Sequence, residues 1–366
     1  MKAQRETFGV GIVGCGKISG TYFENLTNMF SDTAVVACSD LDQERAAVKA
    51  AEFGAEAMTT ELLLQDERVD LVLNLTTPQH HASLNAAAIA AGKHVYVEKP
   101  LAVTLADGEA SMARAEAAGV RLGCAPDTFL GGGIQACRKL IDDGAIGEVT
   151  SCLAFMTCPG HESWHPDPEF YYLAGGGPML DMGPYYLTAL VNLVGPIAAV
   201  SAMTGQASPT RTITSEKKRG TVIPVEVPTH QSGSIRFASG AIGTMVMSFD
   251  VGRSDTPRIE IHGTEGTLSV PDPNSFGGPI KLASRGGDWK DVEIVSHGYT
   301  ENGRGIGVAE MAQAIRDDRP HRVSGQLALH VLDVMLAFEA ASDRGATVTI
   351  ESPCERPEAL PVGTVF

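Results

Sequence analysis

The run Gly14-Cys15-Gly16-Lys17-Ile18-Ser19 has the residue types and spacing that let a backbone cradle a phosphate. It reads G-x-G-x-x-S, with a small Ser where the dinucleotide fingerprint carries Gly or Ala. Without side chains, the glycines let the turn approach a pyrophosphate at the positive N-terminus of a following helix. Asp40 lies 26 residues beyond Gly14, at the end of the next apolar run. A carboxylate there accepts hydrogen bonds from adenosine ribose hydroxyls and repels a 2′-phosphate, which favours NAD over NADP. Its competing role is a solvated turn carboxylate or a helix cap.

A second constellation, His161-Glu162-Ser163-Trp164-His165, matches H-E-x-x-H letter for letter. That motif binds zinc only on a helix, where positions i and i+4 share a face. Pro159-Gly160 precedes it and Pro166-Asp167-Pro168 follows, so no helix of useful length is expected and no metal site. The segment reads instead as a substrate loop over the nicotinamide. Trp164 would stack on a pyranose face, and His161 and His165 would reach hydroxyls. An ordinary solvated loop is the alternative.

The elements that must position these groups follow from periodicity. Apolar runs at 9–13, 34–38, 71–75, 95–97 and 121–124 alternate with helical stretches at 18–26, 43–52, 81–91 and 105–118. Continuous apolar strands between helices predict an α/β unit, a doubly wound parallel sheet covered on both faces. Past Pro126 the pattern changes. Period-2 segments at 233–237, 241–249, 258–262, 267–270 and 292–296 predict an antiparallel sheet, with helices at 135–143, 180–194, 306–316 and 326–342. The domains are therefore expected at 1–126, binding a dinucleotide, and 127–366, binding substrate.

The 366 residues carry 28 Lys and Arg against 44 Asp and Glu, a net charge of −16. The densest basic cluster, Lys217-Lys218-Arg219, is short and follows Glu216, so nucleic acid and anionic membranes are excluded as partners. The polar stretch Met1–Phe8 carries no signal-peptide pattern. The most apolar stretch, 179–200, is broken by Asp181, Gly183, Pro184, Asn192 and Pro196, which predicts a buried helix with flanks, not a membrane span. Seven Cys, at 15, 38, 124, 137, 152, 158 and 354, form no C-x-x-C pair and suit reduced thiols in a cytoplasmic protein.

Four further segments narrow the reading. They are Thr76-Thr77-Pro78-Gln79-His80-His81, Ala91-Gly92-Lys93-His94-Val95-Tyr96-Val97-Glu98-Lys99-Pro100, Gly175-Gly176-Gly177-Pro178-Met179-Leu180-Asp181-Met182-Gly183 and His262-Gly263-Thr264-Glu265-Gly266. With the glycine turn they resemble the glucose–fructose oxidoreductase / inositol dehydrogenase / rhizopine catabolism (Gfo/Idh/MocA) family. The resemblance implies an N-terminal Rossmann domain and a C-terminal α/β domain built on an open, mostly antiparallel sheet. The outer face of that sheet would form a homodimer or homotetramer. It also implies hydride transfer between NAD(P) and a hydroxyl carbon of a sugar, glycoside or cyclic polyol.

Carried over by motif, Lys99 is the active-site lysine and Glu98 its neighbour against the cofactor. Thr76, Thr77, Pro78 and His81 would line the dinucleotide, and Asp181 would face the substrate. An ammonium hydrogen-bonded to the reacting oxygen stabilises the alkoxide that develops as hydride leaves. Asp181 has a second possible role, as an N-cap following the glycines. The family pattern continues D-x-G-x-H, yet Tyr185 stands at the histidine position. Its phenol either carries the proton, favoured by a nearby ammonium, or merely packs. Two other functions fit the same resemblance: a redox-cycling NAD-dependent glycosidase and a non-catalytic NAD-sensing regulator. The intact Glu98-Lys99-Pro100 argues against the regulator.

Overall fold

Strands that are mostly apolar can bury both faces, and those at Phe8–Val13 and Leu71–Asn74, buried at every position, do so at the centre of a six-stranded sheet. A computed structural model of the chain describes residues 7–366; residues 1–6 of the polar stretch noted above lie outside it. The chain divides into two compact units. One gathers the chain as far as Leu130 with Asn302–Leu329 and Thr364–Phe366; the other holds Gly131–Glu301 and His330–Gly363. The division is not a single cut near Pro126. The buried Asp127 carboxylate accepts the N–H groups of Gly305 and Gly307 at 2.7 and 3.2 Å, and Gly123 bridges Ser324. Those bonds keep the later segment with the first unit.

The first unit runs β1 (Phe8–Val13), α1 (Ser19–Asn28), β2 (Thr33–Ser39), α2 (Gln43–Phe53), β3 (Glu56–Ala57), α3 (Thr60–Gln65), β4 (Leu71–Asn74), α4 (Pro78–Ala90), β5 (His94–Val97), α5 (Leu105–Ala118) and β6 (Leu122–Cys124). The strand order is β3-β2-β1-β4-β5-β6 and every pairing is parallel. Order reverses at β1, beside β4, which opens a crevice outside the carboxyl ends of the strands. Asp42, Thr59 and Thr104 cap the starts of α2, α3 and α5, and left-handed Gly54 and Gly119 stop α2 and α5. Val13, Ala37, Val72, Val95 and Val97 pack with Leu63, Ala88 and Ala115 from the helices as its core.

The second unit holds α6 (Gly132–Asp142), β7 (Val149–Thr157), α7 (Gly177–Leu193), β8 (Ile197–Gly205), β9 (Thr210–Thr212), β10 (Val222–Pro224), β11 (His230–Phe237), β12 (Ile242–Ser248), β13 (Ile259–Gly263), β14 (Gly266–Val270), β15 (Ile280–Ser284) and β16 (Lys290–Val292). After them α8 (Ile306–Arg316) returns to the first unit, α9 (Gly325–Arg344) starts there and continues into the second, and β17 (Val348–Thr349) ends the series. Nine strands lie in the order β16-β15-β14-β13-β7-β12-β11-β8-β17; only β7 and β12 pair in parallel. The sheet is thus mixed and mostly antiparallel.

One expectation changes. The strand expected at 292–296 lies at Lys290–Val292, because Ile280 of β15 pairs with Val292 and the ladder ends there. The apolar stretch 179–200 is a buried helix with a flank, as expected: α7 ends at Leu193 and left-handed Gly195 turns the chain into β8. Helix α7 packs against β7, β11 and β12. The other face of the sheet carries exposed Met203 and Ile242. All seven cysteines are free, five of them buried. Among the described residues no helix is long and apolar enough to cross a membrane.

Candidate functional site

Four strands of the parallel sheet end at one edge, and a motif residue follows each. β1 runs into Gly14, β2 into Asp40, β4 into the Thr76 loop and β5 into Glu98-Lys99. Gly14 has φ +103°, and a Cβ there would lie 2.7 Å from the backbone carbonyl of Leu75, so only glycine fits. At Gly16 a Cβ would meet nothing within 4 Å, which leaves open space over the turn. The Ser19 hydroxyl donates to the Gly16 carbonyl at 2.7 Å, closing the turn with a side chain too small to obstruct it. Cys15 is turned inward, while Lys17 and Ile18 are exposed. The turn therefore fits a pyrophosphate.

The Asp40 carboxylate holds this turn. It accepts the Cys15 N–H at 2.7 Å on one oxygen and the Asp42 N–H at 2.8 Å on the other. Each carboxylate oxygen has a second lone pair, so ribose hydroxyls can still be received. Beyond β4, Thr76 donates to Asn74 at 2.7 Å, exposed Thr77 precedes α4 and Pro78 opens it. His81 has no exposed surface. Its Nδ1 lies 2.7 Å from the Pro100 carbonyl and its Nε2 3.0 Å from that of Thr76. The ring joins the loops after β4 and β5, and burial pushes its pKa down. Glu98 is likewise spent inside, accepting the Tyr22 hydroxyl at 2.8 Å and the Lys99 N–H at 3.0 Å. It fixes the backbone that presents the half-buried Lys99.

In the second unit α7 starts at Gly177, with Gly176 as its cap, so Asp181 stands in the second helical turn and is not the N-cap. Its Oδ2 lies 3.2 Å from Nε2 of His161. Tyr185, one turn on, is buried. The H-E-x-x-H segment makes a single turn, with the His165 N–H donating to the His161 carbonyl at 3.0 Å. Its side chains go three different ways. His161 meets Asp181; Glu162 points inward to Arg211 at 3.0 Å and the Tyr172 hydroxyl at 2.7 Å; His165 accepts the Asp167 N–H at 3.1 Å. Among the described residues no group of three His, Cys, Asp or Glu is placed to hold a metal ion.

Aromatic rings surround the His161 imidazole, with centroids of Tyr171, Phe249 and Trp164 at 4.1, 4.6 and 5.3 Å. Trp164 and Phe170 remain 53% and 44% exposed. On the far side Lys217 and Lys218 grip Asp167 and hold its carboxyl down at about 2. Arg211 also pairs with Asp250, which accepts the Thr229 hydroxyl at 2.6 Å. Burial, with Glu162 beside it, pushes the Tyr172 phenol up. Sequence reasoning missed Tyr172, Arg211 and Asp250. Arg211 sits 49 residues from Glu162 on a short hairpin, and no spacing rule links them.

Comparison with known proteins follows the same division. Residues 8–125 match the oxidoreductase family with an NAD-binding Rossmann fold, and residues 134–269 match the GFO/IDH/MocA C-terminal domain. A levoglucosan dehydrogenase from Pseudarthrobacter phenanthrenivorans is 30% identical over 250 residues; the match spans 63% of this chain and 63% of that relative. A D-apiose dehydrogenase from Paraburkholderia graminis is 29% identical over 358 residues, covering 94% of this chain and 90% of the other. The solved structure of levoglucosan dehydrogenase in complex with NADH has the same fold, at a TM-score of 0.81 and 21% identity over 95% of this chain and all of that one. With both domains matched, the chain belongs to the GFO/IDH/MocA family and is an NAD-binding oxidoreductase.

Proposed function

We propose that the enzyme oxidises a hydroxyl carbon of a sugar, glycoside or cyclic polyol, or reduces the corresponding ketone. The observation that carries this substrate class is the half-exposed Trp164 ring against His161, the imidazole paired with Asp181, with half-exposed Phe170 against His165. Rings offer an apolar platform to a sugar's C–H face while carboxylate and imidazole take its hydroxyls. The names of the levoglucosan and D-apiose dehydrogenases support the same class.

Gly14, Gly16, Asp40 and the Thr76–Pro78 loop would hold the dinucleotide, and bound NAD supplies the hydride acceptor. Lys99 donates a hydrogen bond to the reacting oxygen and stabilises its negative charge as the hydride departs. Asp181 orients the hydroxyl. The apolar exposed residues Met203 and Ile242 lie on the sheet face away from α7, and that face pairs with a second copy in a homodimer or homotetramer.

A panel containing levoglucosan, D-apiose, myo-inositol, simple sugars and an aryl glycoside, each with NAD, tests the reading. Formation of NADH without aglycone supports it. Aglycone release without net NADH would instead mean a redox-cycling glycosidase. No turnover on any hydroxyl compound of the panel overturns the substrate class.

A further inference from the structure

Strands β8 and β11 pair directly in the nine-stranded sheet, yet the chain between them leaves that sheet. It forms a separate two-stranded hairpin, β9 with β10, and Arg211 stands on β9 opposite Ile223. We propose that Arg211 is a positioning residue for the substrate, holding through Glu162 and Tyr172 the loop that presents Trp164 and Phe170. This role rests on the substrate reading above.

The two ends of the aromatic segment meet at one knot. At its start the His161 N–H donates to the Tyr172 hydroxyl at 3.1 Å, and at its end Tyr172 itself closes the short turn Glu169–Tyr171. The same hydroxyl donates to Oε2 of Glu162 at 2.7 Å, and Arg211 donates to Oε1 at 3.0 Å. Its guanidinium carbon also lies 5.5 Å from the centre of the Tyr172 ring, within reach of a cation–π contact. Trp164 and Phe170 lie between those ends and hang from the knot. Left-handed Gly160 leads into it, where a Cβ would collide with the Glu162 carboxylate and the Tyr172 hydroxyl.

The hairpin also grips the backbone of the loop. The Glu162 carbonyl accepts the N–H groups of Thr214 and Ser215 at 3.0 and 2.8 Å, and the Ser215 hydroxyl donates to the His165 carbonyl at 2.8 Å. The Tyr172 carbonyl accepts the Glu226 N–H at 2.8 Å, just beyond β10. Arg211 anchors this hairpin to the main sheet, since it pairs with Asp250 and donates to the Phe249 carbonyl at 3.2 Å. Asp250 follows β12 and accepts the Thr229 hydroxyl. A planar fork with several donors can bridge two carboxylates in this way, which a lysine cannot. A loop that only connects β7 to α7 needs no buried Glu–Arg–Asp chain beneath it.

The consequence falls on substrate affinity. A ring that stacks on a sugar holds the bound substrate and the transition state equally, so displacing it raises KM and leaves kcat. Asp181 is fixed independently by α7, which packs on β7, β11 and β12.

The test uses the full chain with its Arg211→Ala, Arg211→Lys and Glu162→Gln variants. On a compound that the wild type oxidises, Arg211→Ala should raise KM about tenfold, the worth of one good aromatic contact. Its kcat should stay within about threefold and its NAD affinity should be unchanged by calorimetry. Arg211→Lys should fall between the two, and added guanidinium should lower the KM of Arg211→Ala. An unchanged KM, or a loss of kcat alone, overturns the proposal. A second arm needs no substrate. The chain has two Trp, so Trp289→Phe leaves Trp164 as the one reporter. Acrylamide should quench that reporter more strongly once Arg211→Ala or Glu162→Gln is added, and equal quenching with and without Arg211 also overturns the proposal. Should Arg211→Ala fail to fold, Arg211→Lys carries both arms with the same outcomes. If the wild type oxidises nothing on the panel, the substrate reading fails, while the quenching still decides what holds the loop.

Discussion

The Asp40 carboxylate accepts the backbone N–H of Cys15 at 2.7 Å, so the carboxylate at the end of β2 braces the glycine turn. Its other oxygen lies 3.5 Å from the Arg45 guanidinium. Asp40→Ser removes the negative charge that would repel a 2′-phosphate, while Arg45 keeps its pairing with Asp42. NAD affinity should fall about tenfold, as expected for one charge-assisted hydrogen bond of ~1.5 kcal/mol. NADP affinity should hold or rise. Calorimetric titration of both cofactors decides it; an unchanged NAD-to-NADP ratio would remove Asp40 as the selector.

Acid should weaken the fold in the range set by buried histidines. Burial, helped by Arg121, pushes His94 down to about 4, and its Nδ1 accepts the Arg121 N–H at 3.0 Å. Burial also lowers His81, His321 and His330. Between pH ~6.5 and the folded value, the unfolded chain binds a proton that the folded chain refuses. The stability these neutral rings contribute is complete above pH ~6.5 and drains as pH falls toward 4, by at most ~1.4 kcal/mol per pH unit for each. Urea midpoints from pH 7 to 4.5 check this. His94→Gln should flatten the slope; a slope identical to wild type would acquit His94.

How much of this was legible depended on how local the cause was. Helix α5 was readable to the residue because Thr104 caps it and Gly119 stops it, both within one turn. The two-residue β3 and the six-residue α3 carry too little pattern to register. At 292–296 the alternation is present, but a strand exists only where a neighbour pairs with it, and β15 ends its ladder at Val292. The positions expected to face the cofactor were readable because each follows its strand directly. The bonds of His81 to Pro100 and Thr76, and of Glu98 to Tyr22 and Lys99, carry no sequence signal. His161 and Asp181 stand 20 residues apart with no periodicity between them. Only tertiary structure pairs them.

The return of Asn302–Leu329 to the first unit has its own buried charge. Glu310 is fully buried, accepts Arg319 at 2.7 Å and Arg322 at 2.9 Å, and takes the Arg322 N–H at 3.0 Å. Glu310→Ala leaves guanidinium charge without its carboxylate in a partly dry site. The expected loss is about 3 kcal/mol, read as a lowered urea midpoint. Glu310→Gln keeps an acceptor and should lose less. Equal stability of Glu310→Ala and the wild type would show that the pair contributes nothing net.

Lys99 offers the most direct test of the reaction. Glu98 holds its backbone N–H at 3.0 Å. Lys99→Ala keeps that N–H, so the loop after β5 and the cofactor edge should stay in place. NAD affinity should change by no more than a few-fold. Turnover should fall by about 10²–10³, the usual cost of removing one donor to a developing oxyanion. Tyr185→Phe makes the matching comparison on α7. Phe keeps nearly all of the buried ring's volume, and a phenol that only packs should cost less than tenfold. A phenol that carried the proton would lose most of the turnover and reshape the pH–rate profile. Should Lys99→Ala retain wild-type turnover on a compound the wild type oxidises, the alkoxide-stabilising role fails whichever residue takes the proton.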